Sequence, residues 1–185
     1  MIKITLSVIV CLAVLTLAAL ALLTLGFFPT RAKMDPPRFE VRVANQALHA
    51  SMRRYAPRVT DPLTPSDQNL IDGMKIYYEN CSLCHGGLDG KPAPLANNFY
   101  PPAPNLISNP LGHPEWHIFF AIRTGVRYTA MPAWEGVLSD PDIWKVTSFL
   151  SRLEKLPPGV QQYWKTTFNG APPSAGENHA EMHAH

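Results

Sequence analysis

The sequence predicts an all-α protein: one small helical domain, with a single transmembrane helix before it. Three observations carry that reading. Residues Ile4 to Phe28 hold no charged side chain and only Thr5, Ser7, Thr16 and Thr24 as polar interruptions, enough apolar chain to cross a bilayer as one helix. Further on, apolar residues recur with helical spacing in segments opening near Ser66, Pro114 and Asp140. The connections between these segments are dense in proline and glycine; residues 91–110 alone carry six prolines and form neither ladders nor helices.

The apolar N-terminal run is longer than the core of a signal peptide, and no small-residue cleavage pattern follows it, since the chain continues Pro29-Thr30-Arg31-Ala32-Lys33-Met34. It reads as an uncleaved signal anchor over residues 1–28 rather than a removed leader. Cys11 is not a lipoprotein cysteine, because Val10 before it is too large. Lys3 stands alone ahead of the span while Arg31, Lys33, Arg38 and Arg42 follow it, which by the positive-inside rule favours the opposite orientation from the one the chemistry below requires.

Residues 29–65 form a Pro/Arg-rich neck with seven basic against three acidic side chains. Arg38-Phe39-Glu40-Val41-Arg42-Val43 alternates like a short strand, and Ala44 to Tyr55 reads as a short helix carrying His49 and Met52. The neck suits either a solvated linker or a segment near anionic headgroups. The domain, residues 66–156, is mildly acidic, with seven basic against nine acidic residues. Nothing in this layout gives reason to propose nucleic acid as a partner.

Ser66 or Asp67 can cap the first helix of the domain, which runs to about Glu79. A glycine inside a helix costs about 1 kcal/mol relative to alanine, so Gly73 marks close approach of another helix. The natural partner is Asp140 to Leu153, where Ile143, Trp144, Val146, Phe149, Leu150 and Leu153 repeat with helical spacing; Asp140 is the expected cap and Pro141 fits the first turn. A third helix, about Pro114 to Thr124, stops at Gly125.

Between the first two helices of the domain stands Cys81-Ser82-Leu83-Cys84-His85. In an exported chain this C-x-x-C-H run reads as covalent attachment of one haem c. Two thiols on one turn can each add to a haem vinyl group, and the adjoining imidazole then sits beneath the iron, so His85 is the proximal metal ligand. A zinc site would need a second pair of ligands, and the remaining cysteine is Cys11, far upstream. A thioredoxin-like dithiol would need a βαβ context that is missing. The proline-fixed backbone of the next stretch, Pro104 included, can present a carbonyl to the second ring nitrogen of His85, while Leu106 packs on the macrocycle. For the second axial position, Met131 in the rigid Met131-Pro132 loop is the foremost candidate, with His113 and His117 as rivals whose ligation would lower the potential.

Taken together, Gly73 with Tyr77, Cys81-Ser82-Leu83-Cys84-His85, Pro101-Pro102-Ala103-Pro104-Asn105-Leu106, Gly125, Met131-Pro132-Ala133-Trp134, Trp144 and Phe149-Leu150 resemble the class I cytochrome c family, in its membrane-anchored single-haem branch. The resemblance covers about residues 66–156. It implies first and last helices crossing near Gly73 and Phe149, a haem edge open near the cysteines, His85/Met131 ligation, and Arg127, Tyr128 and Trp134 placed to meet the propionates. The neck and the final 29 residues find no counterpart in the family.

With no Ser/His/Asp set, paired carboxylates or phosphate loop in the sequence, the expectation is an electron carrier rather than an enzyme, on the periplasmic side of a bacterial inner membrane. Its partners would be redox proteins such as a quinol-oxidising complex, an oxidase or a dehydrogenase. The alternatives are a non-catalytic haem subunit of a larger membrane oxidoreductase and a haem-based sensor. In the C-terminal extension, residues 157–185, Val160, Tyr163, Trp164 and Thr167 share one helical face; the tail, with His179, His183 and His185, is histidine-rich and otherwise small or polar.

Overall fold

The structure, a computed structural model, describes residues 2–27 and 29–173. Phe28 and the histidine-rich tail lie outside the described residues. The chain divides into two compact units, the first covering residues 1–31 and the second beginning at residue 32. Among the described residues the regular elements are all helices, and the lone β-bridge joins Glu135 to Leu138.

The first unit is α1, Ile2–Thr24. Residues Lys3–Thr24 are long and apolar enough to cross a membrane; at 1.5 Å per residue the helix measures about 35 Å, against a hydrocarbon core of about 30 Å. The hydroxyls of Thr16 and Thr24 donate to the carbonyls of Leu12 and Leu20 one turn back, which leaves no free hydroxyl proton at those positions.

The second unit opens with α2, Arg38–Tyr55. The alternation over Arg38–Val43 therefore does not make a strand. A lone extended segment has no partner for its backbone groups, whereas a helix satisfies them internally, and Met52 anchors the far end by burial, with 4% of its surface exposed. Beyond it, the Asp61 carboxylate accepts a hydrogen bond from the Ser148 hydroxyl.

The centre of the unit is the crossing of α3, Asp67–Asn80, with α6, Asp140–Ser151. Ser66 caps α3 by accepting from the Asn69 amide at 3.2 Å. On α6 the cap is Ser139, one residue before the expected Asp140: its hydroxyl accepts from the Asp142 amide at 3.3 Å and donates to the Asp142 carboxylate at 2.7 Å. Asp140 is thereby free to pair with Arg123 at 3.0 Å. At Gly73 a Cβ would run into the Lys145 carbonyl, so backbone meets backbone and only glycine fits. Four residues on, the Tyr77 and Phe149 rings pack at 5.8 Å. Phe119 of α5, Glu115–Thr124, stacks on Trp144 at 4.2 Å.

Helix α7 is Pro158–Phe168; of its predicted face Val160 and Trp164 are fully buried and Tyr163 is half-buried, while Thr167 is exposed. The Trp164 indole donates to the Leu88 carbonyl at 2.6 Å, satisfying its one polar atom inside the core.

Candidate haem site

The proximal side is built by the end of α3. Cys81 closes that helix through its amide on Tyr77 O at 2.8 Å, and the chain continues at once into α4, Ser82–His85. Gly86, with φ +102°, ends α4; its missing Cβ leaves room for the Asn105 side chain, whose nearest atom would stand 2.5 Å away. That Asn105 oxygen accepts from the Ile107 and Ser108 amides, at 3.0 Å each, and so bends the proline segment back over α4.

The consequence is a fixed imidazole. His85 Nδ1 lies 2.9 Å from the Pro104 carbonyl. A carbonyl only accepts, so Nδ1 carries the proton and Nε2 keeps its lone pair for a metal. Burial pushes the His85 pKa below the ordinary imidazole value, and the Pro104 contact opposes this only in part, which favours the neutral ring that ligation demands. Its backbone is pinned as well: the His85 carbonyl accepts from Leu106 N at 2.9 Å and, with the Gly86 carbonyl, from the Tyr77 hydroxyl, both at 2.9 Å. Burial keeps that phenol protonated far above its usual range.

The two cysteines fit thioether formation better than the alternatives. Burial, then the neighbouring Cys84, pushes the Cys81 thiol up to about 12, whereas redox-active dithiols need a lowered pKa. A thioether carries no charge and accepts such a place at no electrostatic cost. Among the described residues no group of three or more His, Cys, Asp or Glu is arranged to hold a metal ion.

The distal loop follows α5. Gly125, with φ +69°, lets it fold back so closely that a Cβ there would stand 2.6 Å from Ala133 N and 2.8 Å from Met131 O. The Val126 amide bonds Met131 O at 3.1 Å, and the Thr129 hydroxyl accepts from Met131 N at 3.1 Å. At its base, Trp134 N and Glu135 N bond the carbonyls of Ile122 and Arg123, and the Arg123 guanidinium reaches Glu135 and Asp140 at 3.0 Å each. Met131, Trp134 and Cys81 all pack, half-buried, against the core that contains Leu106. Tyr128 stands 88% exposed, with Arg127 lying 6.0 Å over its ring. Sequence reading overlooked the Tyr77 hydroxyl, Asn105, Thr129 and Arg123 as supports of the site. The position of Tyr77 one turn before the C-x-x-C-H run was the one available signal.

An all-helical unit with a C-x-x-C-H turn, an oriented histidine and a glycine-hinged methionine loop defines a c-type cytochrome. Residues 68–150, from α3 through α6, match the family model for cytochrome C oxidase, cbb3-type, subunit III, so this part of the chain is a cytochrome c domain, of a kind that binds haem c covalently. A solved chain of the Kuenenia stuttgartiensis reducing HAO-like protein complex Kustc0457/Kustc0458 is similar at 26% identity and a TM-score of 0.41, over 54% of this chain and 52% of that one. The present chain thus spans about half the length of that relative. No curated protein matches it.

Proposed function

We propose that this chain is a membrane-tethered cytochrome that passes single electrons through one haem. Cys81 and Cys84 hold the haem by thioethers, His85 and Met131 ligate it, and the domain faces the periplasm of a bacterial inner membrane. The orientation of His85 by the Pro104 carbonyl carries this reading, because it leaves one ring nitrogen committed and the other available. The bound haem supplies an iron that cycles between Fe(III) and Fe(II). What the chain adds is position: α3 and Tyr77 hold the proximal turn, Gly125 and Thr129 hold the methionine loop, and Leu106 and Trp134 furnish an apolar surround. Arg127, Tyr128 and Trp134 are assigned to the propionate edge, and the exposed Leu83 between the cysteines to the edge that partners meet. Apolar helix α1 supplies the tether, and covalent haem attachment outside the cytoplasm sets the side against the charge bias of the flanks.

The test is covalency and electron count on the haem-loaded chain. Haem should stay with the polypeptide through denaturing extraction, lose one link each in Cys81→Ala and Cys84→Ala, and titrate as a one-electron couple whose reduced form rejects carbon monoxide. Haem that washes out on denaturation contradicts the attachment, and ready carbon monoxide binding favours a sensor with a labile Met131.

The match to an oxidase subunit model favours a second reading, a non-catalytic haem subunit of a larger membrane oxidoreductase. Gentle detergent extraction separates the two: a carrier runs alone, and a subunit co-purifies with its complex at fixed stoichiometry.

A further inference from the structure

Three histidines from two parts of the chain meet. His49 of α2 faces His113, in the turn before α5, and His117 on α5, with ring centroids 5.2 and 5.9 Å away; His113 and His117 stand 4.5 Å apart. His117 is 9% exposed and the other two are half-buried. Among the described residues none of the three rings has a hydrogen-bond or ion-pair partner.

The charges on the surrounding elements do not supply one. On α5, Glu115 is taken by Arg152 and Ser151 of α6, and Asp61, in the segment after α2, is taken by Ser148. Glu40, in the first turn of α2 and more than two turns before His49, is bonded to Tyr100; Arg53, one turn beyond His49, and Arg58, over the ring of Trp116 that is itself in edge contact with His117, are cations. Neutral imidazoles pack against one another as flat, half-apolar plates; imidazoliums at these distances, with no anion between them, repel.

We infer that His113 and His117, packed against His49 of α2, form a proton-operated latch that holds the Met52 end of α2 on the haem domain while they are neutral and releases it when they are protonated. Burial lowers the pKa of His113 and His117, and in each case the neighbouring histidines lower it further. The sign follows: groups with a depressed pKa in the docked state take up protons on release, so docking is complete above the free imidazole value of about 6.5 and is lost as pH falls below it. Each proton taken up on opening contributes about tenfold per pH unit. A metal bridge is the competing use of three imidazoles, but the rings are not arranged to hold an ion.

Hydrogen exchange on the haem-loaded full chain in detergent tests the latch. After correction for intrinsic exchange, the protection of backbone amides around Met52 should fall at least about tenfold between pH 7.5 and 5.5, while amides of α3 hold steady. His49→Gln should flatten that dependence without altering the haem spectrum, and His113→Gln, on a half-buried loop ring, is the second variant should the first fail to fold. Protection that stays level across this range overturns the latch. So does protection at pH 7.5 that is lost to a chelator and restored by Zn(II), which would make the cluster a metal site.

Discussion

The two sides of the proposed haem site are built to different standards. On the proximal side, His85 is fixed by a ring contact to Pro104, an amide contact from Leu106 and the shared Tyr77 hydroxyl, all on a helix locked into α6 at Gly73. On the distal side, Met131 hangs in a loop whose residues 127–130 are exposed, held by the Gly125 hinge, one backbone bond to Val126 and the Thr129 hydroxyl. The histidine side is part of the domain core, and the methionine side is laid over it. Global stability therefore resides with the first, and the second can loosen while the fold persists.

Four substitutions probe that contrast, the largest effect coming first. Gly73→Ala puts a methyl group into the Lys145 carbonyl and must part α3 from α6; about 3 kcal/mol of stability should be lost, read by chemical denaturation. Tyr77→Phe leaves the buried Gly86 carbonyl without its donor and should cost about 2 kcal/mol, with faster exchange of the amides around His85. Gly125→Ala meets both a positive φ and the Met131 carbonyl; strain of about 1.5 kcal/mol is expected, and it should weaken the methionine-to-iron charge-transfer absorption well before the protein unfolds. Thr129→Val removes one exposed hydroxyl that bonds Val126 O and Met131 N; about 0.5 kcal/mol is expected, with carbon monoxide entering the reduced protein more readily and no change in α3 exchange. Should Gly125→Ala destabilise the whole domain as much as Gly73→Ala does, the two sides are one unit and the contrast fails.

The tight turn over Ser82–His85, the α3–α6 crossing and the end of α5 at Gly125 were legible because each leaves a local mark: a fixed spacing, a glycine in a periodic helix, a glycine where a helix stops. The capping of α6 was legible only to within one residue, because Ser139 and Asp140 are both good caps and Asp142 three residues on decides between them. Arg38–Val43 misled because alternation reports two-sided exposure as readily as a strand. On α2, Phe39 and Val43 are simply exposed, at 71% and 58%. The histidine cluster left only the four-residue spacing of His113 and His117 as a local mark, since His49 joins them through tertiary packing. Tyr77 was visible as a core position, but its bonds to the His85 and Gly86 carbonyls depend on how α4 turns under α3.

The central claim, a haem held between His85 and Met131, is tested most directly by the oxidised absorption spectrum of the haem-loaded protein beside that of Met131→Ala. The account predicts a methionine-to-iron charge-transfer band in the parent that vanishes in Met131→Ala, while haem attachment and helicity are retained. A parent spectrum without that band, unchanged by the substitution, would contradict it.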